Sequence, residues 1–599
     1  METNLSYEKL DLASNVIAHS LRSLGVKKGD RVAVSLGNNA EFAAITYAVF
    51  KLGAILVPLN PGFNVKQVTA ALNHLGVELL IIGAVTDLAY KPCRGRSNLP
   101  LIQTMVPDLE SGRIEAPEVP TLKTVVVLDN SASHPLSNFP PLASLRSLTP
   151  FTSLIPDLAT IRASSLASTA RPITPDSPLS PSETVRILQA LCIPFSPLYR
   201  APTKAHNVDT ISQINIQFTS GTTSHPKAAM LSHTSILNNG ALIAHRMGLD
   251  PSDLIVCPPP LFHCFGCVLG YMATATTGAG ILFPSPAFDP LATLRMAAAH
   301  RATGLYGVAT MFVAMFELLH HHHQHGHPDP LLSAAQVAAL PAHLRKGIAA
   351  GSSVPESLMR KLYATLGLQD LVICYGMTET SPVSCMTAPG DPFEKRTRSV
   401  GRVMPHTRVK IVDPTDRARV LPVGERGELA AAGYLVMEGY WGDEERTAEV
   451  RRREEDGVWM YSGDEASMDA EGYVEITGRI KDLIIRGGEN IHPLEIENCL
   501  FQHPQVAEVS VVGVPDEKYG ESVAAFVIVH EGVVPEGGTP GKGGVLTREE
   551  IREWVRTHLS GHLVPKHVWF VQQYPKTASG KIQKFKLKDT AKRLLEEGQ

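Results

Sequence analysis

Between two apolar runs the chain carries FTSGTTSHPKAAMLSH, Phe218 to His233. Thr219, Ser220, Gly221, Thr222, Thr223, Ser224, His225, Pro226 and Lys227 bring hydroxyls, free backbone N–H groups and one cation together. These are the parts of a loop that holds phosphate, because an oxyanion wants several donors and a positive charge within reach. The stretch does not follow the G-x-x-x-x-G-K-[ST] pattern. Taken alone it reads equally well as a polar linker, since Ser, Thr and Gly runs commonly mark loops.

Further segments sharpen the choice. AAGSSVP (349–355) is a small-residue turn containing Gly351, Ser352 and Ser353, and CYGMTETSPV (374–383) gathers Tyr375, Gly376, Met377, Thr378 and Glu379. WMYSGDEA presents Asp464 in a glycine turn, ITGRIKDLIIRGGENIHPLEIE contains Arg479, Lys481, Gly487 and Gly488, and YPKTASGKIQKFKLK puts Lys581 after a glycine. Each has an ordinary explanation by itself: a turn lysine, a capping aspartate, a core tyrosine. A nucleoside triphosphate explains them together. Tyr375 can stack on a base, and Asp464 can accept from both ribose hydroxyls while Arg479 donates to the same sugar. Glu379 offers a hard oxygen to Mg²⁺ beside phosphate, and Lys227 and Lys581 can neutralise charge on the transferred group.

In this order the segments resemble the core motifs of the adenylate-forming superfamily, and most closely its medium-chain acyl-CoA synthetases. INIQFTSGTT, DLVICYGMTETSPV, SVGRVMPHTRVKIVD, KDLIIRGGENIHPLEIE and SGKIQKFKL carry the likeness, which runs from about Tyr7 to the C-terminus. The resemblance implies that Thr219–Lys227 wraps the ATP phosphates. Gly351–Ser353 and Tyr375–Met377 would line the adenine site, Thr378 would lie near the α-phosphate, and Glu379 would sit on Mg²⁺. Asp464 and Arg479 would hold the ribose, and Lys581 would bridge carboxylate and α-phosphate. Lys481 falls at the family's interdomain hinge, and Gly487 and Gly488 match its pantetheine tunnel. His263 and Gly307 fall beside the acyl channel, although His263 reads equally well as a core histidine.

The reaction so implied joins a carboxylic acid to CoA at the expense of ATP, through an acyl-adenylate. Three alternatives stay open: a specialised acid, as in the fungal mevalonate–CoA ligases of siderophore pathways, which look similar; transfer to a carrier-protein thiol; and an impaired nucleotide-binding paralogue. Ser224 and Ala228 stand where the family loop has glycines, and both are expected to loosen the phosphate grip, because glycine permits left-handed backbone. Ala309 replaces a usual proline, with less consequence expected.

The elements that must position these residues follow from the rest of the chain. At 599 residues the chain is too long for one core, and about three to four domains are expected. A net charge of −4 gives no footing for nucleic-acid binding. Eight cysteines are too sparse for a disulfide framework, which points to a reducing, intracellular compartment, whether cytoplasmic, peroxisomal or mitochondrial. Cys264 and Cys267 lie in the apolar LFHCFGC and read as packed thiols. No secretory signal opens the chain, and LEEGQ at its end is not S-K-L. Leu261 to Phe283 carries no charged side chain, yet its glycines, threonines and His263 favour a buried helix and strand over a membrane span.

Leu10, Ala13, Ile17, Leu21 and Leu24 keep helical spacing, with Ser6 as N-cap and Gly25 as stop. RVAVSL, AILVPL, VELLIIG and KTVVVLD are strands alternating with helices, the mark of a parallel doubly wound sheet. The expected fold is therefore α/β: doubly wound sheets with a β-barrel-like subdomain over 1–478, then a small mobile α+β domain over 479–599. Residues of about 130–207 read as a Ser/Pro/Leu-rich insertion, and HHHHQHGHPDP (320–330) as a solvated loop. In the small domain, EGGTPGKGGV is a flexible loop before a helix whose Thr547 and Glu550 make a capping box.

Overall fold

In the computed structural model the first helix spans Tyr7–Ser23, and the Ser6 side chain accepts the N–H of Lys9 as predicted. Leu24 falls outside the buried stripe: it caps the helix and is exposed. The structure describes residues 3–91, 94–134, 137–155, 213–219, 227–325, 332–350, 354–538, 544–577 and 581–597. Counts below refer to these residues, and the side chains of 321–325 are not included.

The predicted strands Arg31–Ser35, Ile55–Pro58, Leu79–Gly83 and Thr124–Leu128 lie side by side and parallel. They form an eight-stranded sheet with Thr149–Pro150 at one edge. Toward the other edge come Gln213–Thr219, Lys227–Ser232 and Gly439–Tyr440. Helices Ala40–Lys51 and Val65–Leu75 cross between strands, each capped by an asparagine, Asn39 or Asn64. Residues 131–155, counted with the insertion above, add short 3₁₀ turns and bury Phe151, Leu154 and Ile155 in the main core. The remainder of that stretch, to about 207, lies outside the described residues.

A seven-stranded second sheet runs Gly280–Leu282, Leu254–Val256, Gly304–Gly307, Lys346–Ala349, Asp370–Gly376, Val383–Met386, Arg402–Val403. Its first five strands are parallel and the last two turn antiparallel. The uncharged 261–283 stretch makes the π-helix Phe265–Met272, the helix Ala273–Thr277 and the strand Gly280–Leu282. No described helix is long and apolar enough to cross a membrane. This segment is packed in the core shared by the two sheets, where the Tyr271 hydroxyl donates to the Ala43 carbonyl at 3.0 Å.

The histidine run departs from expectation. Helix Ala309–His325 carries its backbone through His320–His325, because each added residue needs only to extend hydrogen bonds already nucleated by the apolar turns before it. The rest of the run, 326–331, lies outside the described residues. Ala309 is the first residue of that helix, the position where proline is tolerated and alanine serves as well.

The barrel-like unit is a bent antiparallel sheet. Its long strand Gly457–Met468 pairs along one side with Gly427–Gly433, which in turn pairs with Thr407–Val412. Along the other side it pairs with Arg451–Glu454 and then Val474–Arg479. One 3₁₀ turn, Ile480–Asp482, leads from there into the small α+β unit. Strands Ile484–Arg486, Glu489–Ile491, Val506–Asp516, Gly520–Val529 and His567–Phe570 form its sheet, packed by helices Pro493–Leu500, Arg548–His558 and Lys584–Glu596. The predicted capping box is present, with the Thr547 side chain accepting the Glu550 N–H and the Glu550 side chain accepting the Thr547 N–H. Of the EGGTPGKGGV loop, 539–543 lie outside the described residues.

Candidate functional site

Two strands of the first sheet set one wall. Gln213–Thr219 and Lys227–Ser232 form an antiparallel pair with Thr219 opposite Lys227, the described residues on either side of the hydroxyl-rich segment. Ser220, Gly221, Thr222, Thr223, Ser224, His225 and Pro226 lie outside the described residues, as do Gly351, Ser352 and Ser353. Ala228 does not belong to that segment. It pairs with Phe218 within the strands, is buried, accepts the Trp441 N–H at 2.8 Å, and is not among the residues with positive φ. The need for glycine argued above therefore does not apply at Ala228.

The strand Asp370–Gly376 delivers the second group. Its register shifts at Tyr375/Gly376, and a Cβ on Gly376 would stand 1.7 Å from the Pro382 carbonyl oxygen. Only glycine permits that approach, and it lets the chain turn at once into the 3₁₀ segment Thr378–Thr380. Asn239 clamps the return strand, donating to the Val383 carbonyl (2.9 Å) and accepting the Val383 N–H (3.1 Å).

Glu379 is thereby buried, with its Oε1 accepting the Tyr440 hydroxyl at 2.7 Å. The Lys227 ammonium lies 4.9 Å from the Tyr440 ring centroid, a cation–π contact that brings cation and carboxylate to one aromatic. Burial, and then the Glu379 charge, push the Tyr440 phenol well above its usual range, so it remains a donor.

Asp464 comes from the bent sheet. Its Oδ2 accepts the Tyr375 hydroxyl at 2.6 Å, and its Oδ1 lies 3.1 Å from Arg479 Nε. Burial alone would lower the Arg479 guanidinium, but the Asp464 charge together with Tyr375, Asp482 and Glu379 outweighs it and the net shift is upward. Tyr375 is raised by burial and by the same carboxylate. The three form one corner, bonded to one another.

His263 follows a turn held by Asn38, whose side chain accepts the Leu261 N–H (2.7 Å) and donates to the Pro259 carbonyl (2.9 Å). Its Nδ1 accepts the Phe265 N–H at 3.2 Å, which leaves the proton of the neutral ring on Nε2. Burial, with the nearby Lys581 charge, lowers it to about 4, so the ring is neutral at physiological pH. Cys264 lies 3.9 Å from the Thr378 hydroxyl. Burial pushes Cys264 and Cys267 up to about 12 each, far from the thiolate that metal binding needs.

Lys581 comes from the small unit. Thr577 braces it on both sides, its hydroxyl accepting the Lys581 N–H (3.0 Å) and its N–H donating to the Lys581 carbonyl (2.7 Å). The residue is open to solvent where it lines the cleft, while protein groups crowd around its ammonium. Burial and the Arg479 charge lower its ammonium from the ordinary lysine value. Lys481, in the connecting turn, is lowered by burial and by Arg479 as well.

One cleft of about 1340 Å³ is lined by Thr219, Lys227, His263, Gly376, Met377, Thr378, Glu379, Arg479, Lys481 and Lys581. Gly463 also lines it, so the Tyr375–Asp464 pair stands directly behind its wall. Gly307 is set back behind Val308, where a Cβ would press on the Phe312 ring at 3.0 Å. Gly487 and Gly488 form the turn between Ile484–Arg486 and Glu489–Ile491 and do not line this cleft. Tyr440, Asn38 and Asn239 were not singled out in the sequence. A lone tyrosine in GYWG, an asparagine in a bend or one in a helix has no spacing to mark it, and only the fold brings each to the site.

The arrangement offers donors and cations for a polyphosphate, a buried carboxylate for a hard cation, and a carboxylate–arginine corner for a diol. Among the described residues no group of three or more His, Cys, Asp or Glu could hold a metal. A single carboxylate fits Mg²⁺ arriving on a nucleotide, because that ion is commonly held by one or two carboxylates together with substrate phosphates and water.

These features make the cleft one that a nucleotide would fit. Residues 1–441 match the family model described as AMP-binding enzyme, and 495–581 that of the AMP-binding enzyme C-terminal domain. The chain belongs to the AMP-binding enzymes. Among curated proteins it is 35% identical to the acyl-CoA ligase SID4 of Ajellomyces capsulatus, covering 99% of this chain and 87% of that protein. It is 34% identical to the mitochondrial medium-chain acyl-CoA ligase ACSF2 of Danio rerio, over 96% and 82% of the two chains. In fold it is similar to ATP-bound MatB from Rhodopseudomonas palustris, with a TM-score of 0.69, 23% identity, and 98% and 94% coverage.

Proposed function

We propose that this AMP-forming acid–thiol ligase activates a medium-chain fatty acid or one of similar size and passes it to CoA. The observation that carries the reading is that Lys581 of the small unit enters the cleft that Lys227, Thr378, Glu379 and Arg479 line from the large unit.

In the first half-reaction the acid's carboxylate oxygen bonds to the α-phosphorus of ATP, and the bond to the bridging oxygen breaks to release pyrophosphate. Glu379 would hold the Mg²⁺ that arrives with the nucleotide, and that ion would draw charge from the phosphate oxygens. Lys227 and the Thr219–Lys227 loop grip the β and γ groups, while Gly351–Ser353, Tyr375, Gly376 and Met377 receive the base and Asp464 with Arg479 receives the ribose. Thr378 donates near the α-phosphate, and Lys581 offsets charge as the acid attacks. Such catalysis is chiefly positioning and charge stabilisation. His263 and Gly307 border the acyl end.

In the second half-reaction the CoA sulfur bonds to the acyl carbon, the mixed anhydride breaks, AMP leaves, and the thiol proton goes to solvent. Gly487 and Gly488 reach the cleft only if the small unit turns about Lys481, which would also withdraw Lys581. The two-unit boundary near 478/479 and the pantetheine role of the glycine pair belong to this reading.

ATP–pyrophosphate exchange with short, medium and long fatty acids, mevalonate and aryl acids tests it, with Lys581→Ala as control. Exchange with medium-chain acids that collapses in the variant supports the reading. Exchange with mevalonate alone selects the specialised-acid alternative. AMP release with a pantetheinylated carrier protein but not with CoA changes the acceptor. ATP binding without exchange for any acid sinks the ligase assignment.

A further inference from the structure

The strand that carries Asp464 is uneven. Glu428 faces Glu465 and Ala430 faces Tyr461, which leaves Ser462, Gly463 and Asp464 opposite Leu429 alone. Extra residues of this kind make a bulge, which bends a strand and re-aims its side chains. Gly463 turns the bulge with φ +70, a left-handed value that glycine adopts without penalty. The Ser462 hydroxyl donates to the Leu429 carbonyl (2.8 Å) and accepts the Asp464 N–H (3.1 Å).

Beneath the bulge lies Glu428, only 2% exposed. Its Oε1 accepts the Gly463 N–H at 3.0 Å, and Arg417 donates to both its oxygens, Nε at 2.6 Å and Nη2 at 2.9 Å. Arg417 is itself fixed, with Nη1 donating to the Glu449 carbonyl at 2.8 Å and its guanidinium 4.5 Å from the Tyr461 ring centroid. A carboxylate so deeply buried is unfavourable unless paired. Here the paired charge is spent on one backbone N–H, that of the residue before Asp464.

We propose that the Arg417–Glu428 pair is a positioning device for ribose recognition. Arg417 orients Glu428, Glu428 sets the Gly463 peptide, and that peptide sets the direction in which the Asp464 carboxylate leaves the sheet. Tyr375 and Arg479 hold the same carboxylate from its far side. Arg417 and Glu428 both line the cleft, but the role assigned to them acts through the Gly463 peptide, and the inference rests on the reading of Asp464 as the ribose acceptor.

The test compares kcat/KM for ATP and 2′-deoxy-ATP in wild type, Asp464→Asn, Glu428→Ala and Arg417→Gln, with thermal melting of each. The wild type prefers ATP, and Asp464→Asn abolishes the preference. Glu428→Ala is expected to cut kcat/KM for ATP about tenfold, the scale of one hydrogen bond involving charge, while 2′-deoxy-ATP changes far less and the preference falls with it. Arg417→Gln moves the ratio the same way by a smaller factor and decides the matter if Glu428→Ala does not fold. Equal losses for both nucleotides, or no loss, overturn the positioning role even when melting falls. A wild type without preference overturns the ribose reading of Asp464, and the proposal with it.

Discussion

The Asp464 corner and the Lys581 turn are built in opposite ways. Asp464, Tyr375 and Arg479 stand on strand positions of two sheets, and each is bonded to another before any ligand is present. Lys581 is held through its backbone by Thr577 and reaches the cleft from the C-terminal part of the chain. Groups that recognise a constant part of a substrate gain from being fixed in advance, because less ordering is left to binding. A charge needed in only one half-reaction gains from riding on an element that can leave. The Glu379–Tyr440–Lys227 group is intermediate, with a rigid carboxylate beside a lysine held over a ring.

The sharpest break of this comparison is Lys581→Ala. It is expected to lower pyrophosphate exchange about 10²- to 10³-fold, the scale of losing one electrostatic stabiliser. CoA-dependent release from supplied acyl-adenylate should remain near wild type, and equal loss in both assays would mean that the lysine is not specific to the first step. The same lysine predicts the pH profile. Its ammonium is present below its pKa and lost above it, and burial with Arg479 lowers that pKa from 10.5. The alkaline limb of kcat/KM for ATP, which reports the free enzyme, should therefore begin below the ordinary lysine range and recede to higher pH in Lys581→Arg.

Asp464→Ala comes next, with about a 10- to 100-fold loss in kcat/KM for ATP, as expected for charge-assisted hydrogen bonds. A preformed corner predicts that the loss appears chiefly in nucleotide affinity, measurable by calorimetry. Tyr440→Phe should cost roughly tenfold or less, and should appear as a higher Mg²⁺ concentration at half-maximal nucleotide binding with the fold unchanged by circular dichroism. The smallest effect concerns Ala228→Gly, which places the family's residue in a strand. It should give no gain in exchange and lower stability by about 0.5–1 kcal/mol, the conformational-entropy cost of glycine, read as a lower melting temperature. A marked gain in exchange would return Ala228 to the phosphate loop.

Much of this site was legible because its groups come in local packets. YGMTE and SGD each combine a turn with a chemical group in a few residues, and the order of such packets carries across an intervening sequence of any composition. Alternating strand and helix patterns are local too, which is why the first sheet, the capping box at Thr547 and the uncharged 261–283 helix and strand were foreseen. In the histidine run the composition suggested a loop, and helix propagation carried the backbone onward.

What the sequence determined by itself is the set of reactive groups and the elements beneath them, since backbone propensity and hydroxyl, carboxylate or ammonium chemistry belong to a residue and its near neighbours. Only the tertiary structure decided which groups share a charge. That Tyr440 meets Glu379 across 61 residues, and that Asn38 holds the turn before His263 across 223, are long-range pairings. Such contacts exist because whole sheets pack face to face, and no interval in the chain encodes them one at a time. Ala228 shows the same limit: it follows a loop-like run yet pairs with Phe218 in a sheet, as Lys227 does with Thr219, and only the register of the two strands shows it.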